Sequence, residues 1–142
     1  MIAAIHQPQY LPWLGYFDKM RIADAFCYLD TVQYKKNEWQ NRNRIKTARG
    51  WQWLTVPVTY RFPQRMKEVG INNTVNWSRK HLQSLITNYR KAPFFDKYFE
   101  ILEAQLSMEW TSISDLNISL IEKIRKILKI GHKTSILASE ME

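Results

Sequence analysis

Cysteine is nearly absent: the chain carries one, Cys27, which excludes a disulfide within it. Its place in the apolar run Ala25-Phe26-Cys27-Tyr28-Leu29 reads as a small buried hydrophobe in a reducing compartment. Three histidines accompany it, and no spacing of His and Cys suits a zinc site. Glycine is scarce as well, four in 142 residues, and none falls in a Walker loop, a dinucleotide fingerprint or a nucleophile elbow. No apolar run approaches the roughly 20 residues of a membrane span. The start, Met1-Ile2-Ala3-Ala4-Ile5, turns polar at His6 before a signal-peptide core is complete, so a cytoplasmic protein is expected. Acidic residues are also in deficit, 13 against 21 Lys and Arg, leaving a formal charge of +8. Such a surface attracts phosphates, nucleotides, nucleic acid or acidic lipid, and sign alone does not choose among them.

Apolar residues are plentiful, at 45%, enough for the core of one domain at this length. Residues 2–5 form an apolar run that stops at His6-Gln7-Pro8, the pattern of a strand buried on both faces of a parallel sheet. Pro8 and Pro12 exclude regular structure through Leu14, and residues 15–23 place Phe17 and Met20, with Ile22 and Ala23, on one helical face. Residues 25–29 are apolar again and end at Asp30. Strand, loop, helix and strand within thirty residues predict a βαβ unit, hence an α/β fold with a Rossmann-like parallel sheet and flanking helices.

Residues 31–50 are polar, amide-rich and basic, and read as a functional loop or irregular hairpin. Residues 51–58 alternate as a strand does, with Pro57 at its edge or end. Residues 61–67 read as a mobile basic loop and 69–72 as a short strand. Helices are predicted over 77–90, from 94 to about 106, and from a cap at Ser112 or Ser114 to a stop signal at Gly131. Residues 134–137 read as a last strand. The chain ends directly after it, without the helix that normally covers a parallel strand. The expectation is one α/β domain over residues 1–142, truncated at its C-terminal side.

Candidate chemistry gathers in three stretches. His6, Gln7, Tyr10, Trp13 and Gly15 lie between the first strand and the first helix, where open α/β sheets bind ligands. Free N–H groups at a helix start favour a phosphate or carboxylate, and Gly15 allows close approach. Packing alone is the plainer reading of Tyr10 and Trp13. The second stretch holds Gln33, Lys36, Trp39, Arg42, Asn43 and Arg44. Arginine grips oxyanions bidentately, lysine acts as a point charge and tryptophan offers a stacking face. A merely solvated basic hairpin would not call for Trp39 and its amides, so a binding surface is favoured; single-stranded nucleic acid would use the same residue types. Asp30, ending the second strand, has three open readings: a ribose contact, a Mg²⁺ contact through water, or a cap on the next turn. In the third stretch Asn73, Trp77, Lys80 and His81 combine a turn with one helix face, and a helix histidine is more often structural than catalytic.

The strings HQPQYLPWLGYFDKM, AFCYLDTVQYKKNEWQNRNRIKTARGWQWLTVPV and INNTVNWSRKHLQSLITNYRKAPFF, in that order, resemble the WbqC-like family of bacterial polysaccharide-cluster proteins. The resemblance implies a transferase of surface polysaccharide biosynthesis, a glycine or aminoacyl transferase acting on O-antigen sugars. Family members continue past the equivalent of Ser139 with a glycine-rich SGP-type motif that has no counterpart here. The layout is also similar, at fold level only, to nucleotidyltransferase-like enzymes, with Trp13-Leu14-Gly15-Tyr16 standing where their HxGH motif would be. On this reading His6 is the general base, while Lys36, Arg42 and Arg44 bind a phosphate or carboxylate. ATP or a nucleotide-sugar with Mg²⁺ is the cofactor to expect, and a small anionic ligand the partner, ahead of nucleic acid. The rival reading is a non-catalytic module for single-stranded nucleic acid or a nucleotide-sugar.

Overall fold

The βαβ unit is present in the computed structural model, which describes residues 1–131 and 134–141. Along the chain run β1 (Ala3–His6), α1 (Leu14–Ile22), β2 (Ala25–Tyr28), β3 (Arg42–Thr47), β4 (Gly50–Thr55), β5 (Val58–Thr59), β6 (Gly70–Ile71), α2 (Trp77–Tyr89), α3 (Phe95–Leu106), α4 (Ile113–Ile127) and β7 (Thr134–Leu137). Strands β1, β2 and β7 form a parallel sheet in that order, with Ala3 opposite Ala25 and Ala25 opposite Thr134. Among the described residues the result is a mixed α/β fold with a small parallel sheet and four helices.

One face of this sheet is covered. Tyr16, Phe17 and Met20 of α1 and Ile121 of α4 pack on Phe26 and Tyr28. The alternation of strand side chains puts Ile5, Cys27 and Ile136 on the opposite face, where they line an open apolar groove. The expected first strand buried on both faces is therefore corrected: β1 is an edge strand and Ile5 is 59% exposed, because both helices that reach the sheet lie on the other side. Cys27, read as buried, is half-buried in the same groove.

A second apolar cluster joins Tyr34, Leu54, Val56, Met66 and Val69 to Trp77 and Leu85 of α2, Leu106 of α3 and Leu116 and Leu120 of α4. Burying side chains of this size stabilises by roughly 1.5–3 kcal/mol each. Leu116, Leu120 and Ile121 lie on adjoining stripes of α4, so this one helix packs against both clusters. Its start is fixed by Ser112, whose hydroxyl accepts from the Asp115 backbone N–H at 3.2 Å.

Two loop readings are corrected. Residues 42–55 are a regular antiparallel hairpin with Thr47 opposite Gly50, and Gly50 takes φ 126°, a conformation open to glycine. Residues 61–67 are pinned rather than mobile. The Tyr34 N–H donates to Gln64 O, Met66 N–H to Val32 O and Lys67 N–H to Asp30 O, at 2.8 to 2.9 Å, and Met66 is fully buried.

Candidate functional site

The loop after β1 and the segment entering β3 are far apart in sequence, and buried amides tie them together. The Tyr10 N–H donates to Trp39 O at 3.0 Å, and Gln40 Nε2 to Gln7 Oε1 at 2.7 Å. Asn43 Nδ2 donates to Leu11 O at 2.6 Å. From below, Asn117 of α4 donates to Gln40 O at 2.7 Å and to Pro8 O at 3.3 Å. Gln40 and Asn117 have no exposed surface. Interlocked amides of this kind hold geometry strictly, since orphaning one buried group costs about 1–3 kcal/mol.

Between the clamped segments opens a cleft of about 500 Å³ lined by Gln9, Trp13, Trp39, Asn43 and Arg44. Its charge comes from the hairpin. Arg42 and Arg44 alternate with the inward-facing residues of β3, and Arg44 stands opposite Trp53. The Arg44 guanidinium lies 5.0 to 5.4 Å from the ring centres of Trp39, Trp51 and Trp53. It makes no ion pair or hydrogen bond among the described residues. Cation–π attraction draws the guanidinium to these rings and leaves its N–H groups for an oxyanion. Arg42 stacks on Trp53 at 4.2 Å and donates to Asn37 O, while its Nε is buried without a partner.

Trp13 walls the cleft from the other side and is 71% exposed. Its indole lies over Gly15, where an added Cβ would come within 2.2–2.6 Å of the ring. The close approach expected at Gly15 is thus that of a protein side chain. Gln9 is 8% exposed, lines the cleft, and its carboxamide has no partner among the described residues.

His6 ends β1 but is not among the residues lining the cleft. Its ring is half-buried edge-on against Tyr16, with Nδ1 at 3.1 Å from Gln7 O. Burial lowers its pKa below the ordinary value, opposed by the Gln7 carbonyl and assisted by Lys19. No hydrogen bond engages Nε2 among the described residues.

Other sequence-chosen residues lie elsewhere. The Asp30 carboxylate is buried and accepts from the backbone N–H and hydroxyl of Ser139, at 3.0 and 2.6 Å, so its partners lie in the segment after β7 and not in the turn that follows Asp30. Gln33 pairs through its backbone with Arg65 beside a separate surface depression, and Lys36 is exposed outside the cleft lining. Tyr10 is fully buried and Trp77 nearly so, and His81 is 4% exposed. The Tyr10 hydroxyl meets His81 Nδ1 at 2.8 Å and His81 Nε2 meets Thr55 O at 3.1 Å, so both ring nitrogens are used inside the fold. Asn73 bridges Trp77 Nε1 and Trp110 O. The third stretch therefore packs around the start of α2, with Lys80 exposed beside it.

Gln9, Trp51 and Trp53 were passed over in the sequence. The tryptophans carried a usable signal, since two residues spaced i, i+2 on a strand share a face with Arg44 and Lys46 in the observed register. Among the described residues no group of three or more His, Cys, Asp or Glu side chains could hold a metal ion, and His132 lies outside them. No helix among them is long and apolar enough to cross a membrane.

Residues 7–142, which include every residue of the cleft, match the WbqC-like protein family. The chain belongs to that family. A WbqC-like chain of this kind also resembles Rv1507c, an uncharacterized protein from Mycobacterium tuberculosis: the two are 42% identical over 131 residues, 90% of this chain and 56% of the relative. The chain thus spans a little over half the length of the curated relative it matches. No solved structure matches this WbqC-like chain.

Proposed function

We propose that residues 1–142 form one α/β domain of a transferase of bacterial surface polysaccharide biosynthesis, and that its cleft binds the phosphate or carboxylate of a small ligand on Arg44. The observation that supports this most is the Arg44 guanidinium, oriented by three tryptophans and left without an anion of the protein's own. Charge-assisted bidentate bonds are the interaction such a fork is shaped for. Asn43 and Gln9 add amide groups to the same lining. Among the described residues no carboxylate lines the cleft, so these residues do not supply a Mg²⁺ site, and a cation there would be held by the ligand's own oxygens.

The reaction suggested by the family resemblance is aminoacyl transfer to an amino sugar, on a nucleotidyltransferase-like layout in which a strand leads through the ligand loop into a helix. In it the amine nitrogen attacks the carbonyl carbon of an activated aminoacyl donor, His6 takes the proton from that nitrogen, and the donor's leaving group departs with the bonding electrons. Its unengaged Nε2 and its lowered pKa, which keeps the ring neutral near pH 7, suit a base.

Thermal unfolding in the presence of pyrophosphate, ATP and nucleotide-sugars tests the binding claim, since a ligand at 100 times its Kd adds about 2.7 kcal/mol of stability. The expected result is a shift that is lost in Arg44→Gln, while the ligand-free midpoint stays unchanged. A shift that survives the substitution would remove Arg44 from the site.

A second reading is favoured by the hairpin's outer face, where Arg42, Arg44 and Lys46 stand beside Trp51 and Trp53, a stacking platform suited to single-stranded nucleic acid. On that reading affinity falls steeply between about 50 and 200 mM salt.

A further inference from the structure

We infer that the cleft takes a ring joined to an anion: the ring lies on Trp13, a polar substituent of the ring bonds the Gln9 carboxamide, and a phosphoryl group sits on Arg44. This rests on the anion site proposed above and goes beyond it by naming the class of the ligand's other half.

Three observations converge. A tryptophan that is 71% exposed is ordinarily free to move, yet the Trp13 indole is seated on the glycine two residues later in a space that no other residue leaves open. The indole also lines the cleft and offers it a flat apolar surface for stacking. Gln9 is the second observation. The residue is 8% exposed, lines the cleft, and its carboxamide meets no protein partner among the described residues, so its hydrogen-bonding groups are left for what enters the cleft. It offers donors and an acceptor together, the match for a hydroxyl or for the edge of a base. Third, Asn43 anchors the intervening chain to Leu11 O, so the Trp13 loop and the Arg44 strand are held at a fixed separation.

An inorganic anion satisfies Arg44 alone. A phosphate ester of a ring satisfies all three groups, and the ring can be a nucleobase stacking by its π face or a sugar presenting C–H groups. Calorimetric titration of the full chain with inorganic phosphate, uridine monophosphate and glucose 1-phosphate separates these sources. At least one ring-bearing phosphate is expected to bind about tenfold or more tightly than inorganic phosphate, the scale of one stacking contact. Trp13→Ala should remove that advantage while leaving inorganic phosphate unaffected. Gly15→Ala should do the same by displacing the indole, and Gln9→Met should weaken only the ring-bearing ligands. Equal binding of all three phosphates, or an advantage that survives Trp13→Ala, overturns the inference while the anion site stands. If Arg44→Gln leaves phosphate binding intact, or if the native chain binds none of the probes, the underlying anion reading fails with it.

Discussion

Gly15 separates stability from function at the scale of one residue. A glycine inside a helix costs roughly 0.5–1 kcal/mol relative to alanine, so Gly15→Ala relieves that cost in α1. The atoms nearest its new Cβ are those of the far edge of the Trp13 indole, a side chain that can swing aside. Urea unfolding of Gly15→Ala should show stability within about 1 kcal/mol of the native chain, while tryptophan fluorescence reports a displaced indole. Asp30 makes the opposite case. Ser139→Ala removes the hydroxyl, one of the two contacts to a buried carboxylate, leaves the backbone N–H, and should cost on the order of 1–3 kcal/mol in the same measurement. His81 sets a pH dependence. Burial lowers its pKa to about 4 from 6.5, against the pull of the Thr55 carbonyl. The unfolded state then binds more protons between these values, so the stability is fully present above pH 6.5 and falls as pH drops toward 4. The total is on the order of 3 kcal/mol. Unfolding followed from pH 7 to pH 4.5 should show this loss, and His81→Gln should flatten it.

Elements differ in how plainly the sequence announces them. Breakers at Pro8 and Asp30 and the apolar runs between made the βαβ unit legible, and the α4 stripe of Leu116, Leu120 and Ile121 followed from helical spacing. The uncovered face of β1 was not legible, because coverage depends on which side α1 and α4 pack, and strand composition does not carry that. Residues 61–67 looked loose because their anchors are backbone bonds to residues 30–34, which leave no mark on side-chain pattern. The site divides the same way. The two stretches that form it were legible from their chemistry, as were Trp13, Trp39, Asn43 and Arg44 within them. Gln9 was not, since its burial arises only when the hairpin closes over the first loop. That closure is testable. Asn43→Ala removes the Leu11 clamp, and the Tyr10 amide, bonded to Trp39 O across the same junction, should then exchange its hydrogen faster while amides of α4 stay protected.

At the scale of the molecule, a charge of +8 draws anions to the whole surface, and the account concentrates their specific binding at one guanidinium. A surface effect and a site differ in their dependence on salt and on single residues. The decisive measurement is calorimetric titration of pyrophosphate into the native chain and Arg44→Gln, at about 50 and 200 mM salt. Saturable binding is expected, weakening only modestly with salt and falling about tenfold or more in the variant, the worth of one charge-assisted contact. Equal binding by the two proteins, vanishing together at the higher salt, would contradict it.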